Sequence, residues 1–258
     1  MKKHSKAFFA VLPLVASMSL VGCNSMGFDD YANFGMRGIK AATLSDNEVK
    51  TLSAKSCAQM DAKSRIAPAN NAYTKRLRKI SKTLGNNLNG IPISYKVYLT
   101  KDVNAWAMAN GCVRVYSGLM DMMTDNEIQG VLGHELGHVA LGHSKKAMQV
   151  AYATEIARNA AASSGNAAVT TLSKSKLGAL ATAVVNAQFS QTQEKEADNY
   201  SFDLLVKKKI NPAGLATAFD KLGSGDTSLL SSHPSSSSRA ANIRKKIADL
   251  KKLTELKK

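Results

Sequence analysis

Residues 134–138 read His-Glu-Leu-Gly-His, and two histidines four apart can serve one site only where the chain is helical. At about 100° per residue their side chains leave the axis about 40° apart, so both imidazoles project from one face. That is the geometry for two nitrogen ligands of one tetrahedral zinc ion. A third protein ligand must then come from elsewhere, with a fourth position left open. The fold is constrained accordingly: residues 134–138 form a helix, and a distant segment folds back onto it. Glu135 lies on the same side, beside the open position. A carboxylate there can take a proton from a water that then attacks a peptide carbonyl.

The flanking residues argue against two satisfied core histidines on an ordinary buried helix. Leu132, Leu136, Val139 and Leu141 give an apolar surround. Gly133, Gly137 and Gly142 each cost about 1 kcal/mol relative to alanine inside a helix, which points to close packing of backbone or substrate. Thr124 and Glu127 fit a capping box, with Asp125 in the first turn, so a helix is expected to begin there.

The N-terminus reads as a targeting segment. Lys2, Lys3 and Lys6 form a basic start, and the apolar run from Ala7 to Val21 is interrupted by Pro13, Ser17 and Ser19. It falls short of the ~20 apolar residues that a transmembrane helix needs. It ends in Leu20-Val21-Gly22-Cys23, which resembles the lipobox of bacterial lipoproteins. The resemblance implies cleavage after Gly22 and acylation of Cys23, with more than one acyl chain giving a stable anchor. Asn24 rather than Asp follows, which favours the outer membrane. Cys57 and Cys112 then remain as an even pair in an exported chain, which suggests a disulfide between them, with two buried thiols as the alternative.

The formal net charge is +16. Its lysines and arginines are spread over clusters at 75–79, 145–146, 207–209, 244–246 and 251–258, with no aromatic interleaving. Nucleic acid is therefore not expected as a partner; solvated faces or anionic lipid head groups account for the charge.

Residues 24–42, with Gly27, Gly35 and Gly38, read as a tether. Helices are expected over 43–67 and 70–84, the second with Tyr73, Leu77, Ile80 and Leu84 on one stripe. Ile91–Thr100 and Cys112–Tyr116 are β-prone, so a small sheet precedes the helix of residues 134–138. Asn104 and Trp106 lie between them, and strand packing is their simplest role. An edge strand there can also pair with an extended peptide. Residues 151–187, rich in Ala, Ser, Thr and Gly, form either loosely packed helices beside the site or a mobile cover. A helix resumes around 187–209 and stops at Asn211-Pro212, and 224–238 reads as a Ser/Gly-rich loop. Ile243, Ile247, Leu250, Leu253 and Leu256 give the last segment an amphipathic face.

His143 is the nearest candidate for the third ligand. It lies nine residues past His134, a half-turn around a continuous helix, so a capping or surface role is expected for it. Glycine and histidine four and five residues after His138 also do not fit the metzincin spacing of three and six. Further on, Glu194 and Asp198 are four apart and share a helix face, while Glu196 points elsewhere. That pair suits a ligand backed by a carboxylate that takes the free N–H of a ligating histidine.

The pairing of His-Glu-x-x-His with Glu194-x-x-x-Asp198 resembles the glu-zincin metallopeptidases of the HtpX/CAAX-prenyl-protease type. His233-Pro234 followed by Arg239, and Asn104-Ala105-Trp106 in place of the family's Asn-Ala-Phe, extend the resemblance over roughly residues 60–250. The stretch after Trp106 departs from the family's usual Pro-Gly ending. The resemblance implies an α+β, mostly α-helical, zincin-like metallopeptidase domain with a small β-sheet beside the His-Glu-x-x-His helix. It implies one Zn2+ held by His134, His138 and Glu194, with Glu135 as general base and Asp198 behind the ligands. It gives His233 the oxyanion, or closure onto the zinc at rest, and gives Arg239 the orientation of Asp198 or substrate. Asn104 and Trp106 would lie against substrate.

The sequence as a whole is therefore expected to comprise a signal peptide (1–22), a lipid-anchored tether (23–42) and a zinc endopeptidase domain (43–258). Its expected setting is the periplasmic face of the outer membrane, and its expected substrates are envelope proteins, misfolded ones among them. The alternative from another class is an assembly lipoprotein that binds outer-membrane protein clients, with latent proteolysis.

Overall fold

The computed structural model describes residues 44–162, 172–223, 229, 232–233 and 237–256. The expected signal peptide, Cys23, the tether, Pro234, residues 163–171 of the small-residue segment and most of 224–236 lie outside the described residues. In chain order, helices α1 (Asp46–Lys63) and α2 (Ala72–Leu84) precede strands β1 (Asn87–Leu88), β2 (Ile91–Pro92), β3 (Ser94–Tyr98), β4 (Ala105–Ala107) and β5 (Cys112–Tyr116). Helices α3 (Ser117–Met122), α4 (Asp125–Ala140), α5 (His143–Ala162), α6 (Lys174–Val185), α7 (Gln191–Lys207), α8 (Ala213–Gly223) and α9 (Ser237–Glu255) follow.

Period-2 alternation along β5 organises two apolar layers. The strand lies at the centre of a three-stranded sheet, parallel to β3 and antiparallel to β4. Val113 and Val115 face one core with Val97, Ala105 and Ala107, and α2, α4, α7, α8 and α9 pack there. Cys112, Trp106 and Tyr98 face the opposite core, covered by α1, α5 and α6. Successive strand side chains point to opposite faces, so one short sheet holds both layers.

Arg114 is buried on the central strand, and a buried charge requires a partner. Asp61 of α1 supplies it, accepting from Arg114 Nε at 2.7 Å and Nη2 at 2.9 Å. Lys96 Nζ and Tyr98 Oη, each at 2.7 Å, also donate to Asp61. Burial alone would raise the Asp61 pKa; the hydrogen bonds from Arg114, Lys96 and Tyr98 outweigh it and hold it at about 2. Beside this pair, a disulfide joins Cys57 of α1 to Cys112 of β5, with the Cα atoms 6.6 Å apart.

Several boundaries differ from the sequence expectation for identifiable reasons. The continuous strand over 91–100 is broken at Ile93. Pro92 lacks the N–H to extend the ladder and pairs instead with Asn87 in the β1–β2 ribbon. The first helix is trimmed to Asp46–Lys63 by a Ser45–Glu48 capping box. The helix after 187 starts at Gln191, behind a second box of Ser190 and Gln193. Within 151–187, the described residues are helical in α5 and α6, which choose the packed-helix alternative there. The apolar face of the last segment is used as far as Leu250: Ile243 is buried and Ile247 and Leu250 pack against the core, whereas Leu253 and Leu256 are 57% and 83% exposed. Among the described residues, no helix is long and apolar enough to cross a membrane.

The junction of α1 with the sheet makes two predictions. Replacing Cys57 or Cys112 by serine opens a cross-link spanning 55 residues, and denaturant titration should show a loss of about 2–4 kcal/mol. Because the Asp61 pKa is depressed in the folded state, its contribution is intact above about pH 4 and is lost as pH falls through about 2. That acid limb should amount to about 1–2 kcal/mol after allowance for solvent screening, and should be absent from Asp61→Asn.

Candidate active site

Helix α4 carries His134, Glu135 and His138, and its start is fixed by the Thr124–Glu127 capping box. Lys221 of α8 reinforces that start, its Nζ lying 2.7 Å from Glu127 Oε2. Gly133 and Gly137 let α7 approach: a Cβ at Gly133 would stand 2.5 Å from Ser201 Oγ, and one at Gly137 3.0 Å from the Ala197 backbone. Close packing is thus the role of these two glycines. Gly142 is different. It lies past the helix end with φ +77° and nothing near its missing Cβ, so it is a left-handed turn residue.

The close approach brings α7 side chains onto the two histidines. His134 Nε2 and His138 Nε2 are 3.0 Å apart. Glu194 faces both, with Oε2 3.5 Å from His134 Nε2 and Oε1 3.4 Å from His138 Nε2. One turn on, Asp198 Oδ1 lies 2.8 Å from His134 Nδ1. Arg239 at the start of α9 grips Asp198 as a fork, with Nε 2.8 Å from Oδ2 and Nη2 2.6 Å from Oδ1. Its Nη1 is 2.7 Å from Glu194 Oε2, and its guanidinium lies 4.1 Å over the Phe219 ring.

His233 completes the cluster. Its Nδ1 is 2.9 Å from Glu194 Oε1 and 3.2 Å from His134 Nε2, and its Nε2 is 3.5 Å from Glu135 Oε1. One possible ligand atom from each of His134, His138, Glu194 and His233 lies within 4.8 Å of the other three. All of the expected site residues from α4, α7, α9 and position 233 therefore meet in one place.

Electrostatics favour a cation at this point. Glu135, Glu194 and Asp198 are three buried carboxylates, and Arg239 is the buried guanidinium among them. Buried charges of one sign in excess are costly, and a divalent ion at the convergence offsets that excess. Burial strips the imidazoles of water and keeps them neutral: His134 is held well below the ordinary range, and His138 at about 4 although Glu194 pulls it upward. A neutral imidazole offers the lone pair that a metal needs. Burial would raise Glu194, but the imidazoles of His138 and His233 beside it hold it ionised, far below the carboxylate range. Burial raises Glu135 to about 7 against the pull of His233 and a hydrogen bond from the Ala107 backbone. Its Oε1 is buried with no hydrogen-bond partner among the described residues. Two nitrogens and a carboxylate oxygen around a basic buried glutamate fit a catalytic divalent ion.

Two placements, those of His143 and Phe189, were not anticipated. His143 is not on the surface: it is 7% exposed and its Nδ1 lies 3.1 Å from His138 Nδ1. The helix ends before it, so it returns toward α4 instead of continuing around it. Glu196, as expected, stays out of the cluster, and it lies 3.1 Å from His143 Nε2. Phe189, which carries no motif, stacks on His138 with ring centres 3.8 Å apart. Asn104 and Trp106 are buried next to or within β4, and Trp106 packs edge-on against Tyr98 at 6.0 Å. Strand packing accounts for most of the Trp106 ring, and Trp106 also lines a small cavity shared with Glu135, Phe189 and His233.

The model of peptidase family M48 matches residues 70–247. The chain is 55% identical over 233 residues to Metalloprotease LoiP of Escherichia coli strain K12, covering 89% of this chain and 92% of that protein. It is 51% identical over 253 residues to Metalloprotease YcaL of the same strain, covering 95% and 98%. Protease HtpX of Actinobacillus pleuropneumoniae serotype 5b, strain L20, is 30% identical over 186 residues, covering 57% of this chain and 64% of that one. With its histidines, glutamates and arginine gathered as the geometry above requires, the chain belongs to peptidase family M48 and is a metalloendopeptidase.

Proposed function

We propose that the metal is zinc, one ion per chain, held by His134, His138 and Glu194, and that Glu135 is the general base. The observation that carries this reading is the convergence of those three ligands beside a buried glutamate. A zinc ion held there would polarise a peptide carbonyl and acidify water. Glu135 takes the proton from the attacking water as its oxygen bonds to the carbonyl carbon. The same carboxyl then passes that proton to the amide nitrogen as the C–N bond breaks. Asp198 accepts from His134 Nδ1, and Arg239 fixes Asp198, so the ligand ring is held in one tautomer. His233 stands among the ligand atoms, which suits a closed resting site. Withdrawn, it donates to the oxyanion. Strand β4 is an edge of the sheet beside Glu135, so an extended peptide added along Asn104–Ala107 would cross the site.

The setting we propose is the periplasmic face of the outer membrane. Residues 1–22 are removed as a signal peptide, Cys23 is acylated, residues 23–42 tether the peptidase domain of 43–258, and envelope proteins are the substrates. Leu20-Val21-Gly22-Cys23 supports this reading. Cys23→Ser should abolish labelling by radioactive palmitate and shift the protein out of the outer-membrane fraction; unchanged fractionation would contradict the anchor.

The chemistry is tested on unfolded protein as substrate. Glu135→Gln should lower the cleavage rate at least about 10²-fold while the protein still binds metal; an equally active variant would refute the mechanism. Glu194→Gln should lose the metal and Glu196→Gln should keep it, as measured by elemental analysis. The reverse pattern would move the third ligand.

A further inference from the structure

Each metal histidine has a second ring nitrogen, and its partner decides the tautomer. For His134 the partner is Asp198. For His138 the structure offers a different arrangement: His138 Nδ1 lies 3.1 Å from His143 Nδ1, and His143 Nε2 lies 3.1 Å from Glu196 Oε2. We propose that His143 and Glu196 are positioning residues that hold His138 with its Nε2 lone pair aimed at the metal. The proposal rests on the metal-site reading above.

The direction of the hydrogen bonds follows from the chemistry of imidazole. His138 Nε2 faces His134 and Glu194, so its lone pair is committed to the ion and its hydrogen must sit on Nδ1. That N–H donates to His143 Nδ1, which therefore carries no hydrogen. The His143 hydrogen is left on Nε2, where it donates to Glu196. Every ring nitrogen then has one role, and the chain of bonds runs one way from ligand to carboxylate. His143 itself is no ligand, because it meets the far edge of the His138 ring.

The backbone is arranged for this contact. His143 lies five residues beyond His138, about 140° around a continuous helix and out of reach. Helix α4 stops at Ala140, and the left-handed turn at Gly142 starts α5 at His143. That break returns the imidazole to His138. Phe189 covers the face of the His138 ring at 3.8 Å, so the ring is held by stacking and by its edge. The first turns of α7 therefore serve both histidines: Glu194 faces the metal cluster, and Glu196 meets His143.

The test is metal affinity, measured by competition of the full chain with a chromophoric zinc chelator. His143→Leu fills the space without accepting a hydrogen bond and should weaken zinc binding about 10–100-fold. His143→Asn places a carboxamide oxygen near the Nδ1 position and should stay within about threefold of wild type. Glu196→Ala changes a half-exposed side chain, leaves the packing alone and should weaken zinc about threefold to tenfold. This order reverses what space-filling alone would give. Wild-type affinity in His143→Leu would overturn the proposal, as would an asparagine variant as weak as the leucine one. If the leucine variant does not fold, the asparagine and Glu196→Ala affinities decide in its place, and unchanged affinity in Glu196→Ala removes Glu196 from the relay. Failure of the underlying site reads differently: Glu194→Gln would then bind zinc as tightly as wild type.

Discussion

Helices α4 and α7 meet backbone to backbone where Gly133 and Gly137 stand, and the geometry of the site depends on that contact. A Cβ at Gly133 would collide with Ser201, and one at Gly137 would press on the Ala197 backbone. Ser201 Oγ also donates to Gly130 O at 2.8 Å, pinning the two helices at one height. With axes this close, Glu194 reaches both His134 and His138, and Asp198 reaches the outer nitrogen of His134. The glycines cost helix stability, and the apolar layer under them offsets that cost: Leu132, Leu136 and Val139 of α4 share a core with Phe202 and Leu205 of α7.

From this contact the site is built outward in charge. Arg239 stands over Phe219 and between Asp198 and Glu194, so one cation ties α9 to α7 and sets both carboxylates. The opposite layer serves the sheet. Asp61 neutralises Arg114, and the Cys57–Cys112 bridge fixes α1 across β5. That holds β4 where its Ala107 backbone meets Glu135.

Much of this was legible in residues with strong local rules. The capping box at Thr124 and Glu127, the alternation in Cys112–Tyr116 and the four-residue spacing of His134 and His138 each specify one conformation. So does the spacing of Glu194 and Asp198. His143 was misread because its place depends on where α4 ends, and the left-handed turn at Gly142 is one of several fates open to a glycine near a helix end. Phe189 carries no periodic pattern and acts through the tertiary approach of the segment before α7. The Asp61–Arg114 pair joins residues 53 apart, a distance at which spacing carries no information. The disulfide stood as one of two alternatives for the same reason, since geometry and not count decides it.

The proposed mechanism needs one ion held by nitrogen and oxygen from helices α4 and α7, and the proposed resting state adds His233. X-ray absorption at the K edge of the metal that purifies with the full chain tests this most directly. The predicted result is a four-coordinate shell of nitrogen and oxygen, with imidazole scattering from the three histidines of the cluster and one carboxylate. A sulfur-containing shell, or six oxygens without imidazole scattering, would contradict it.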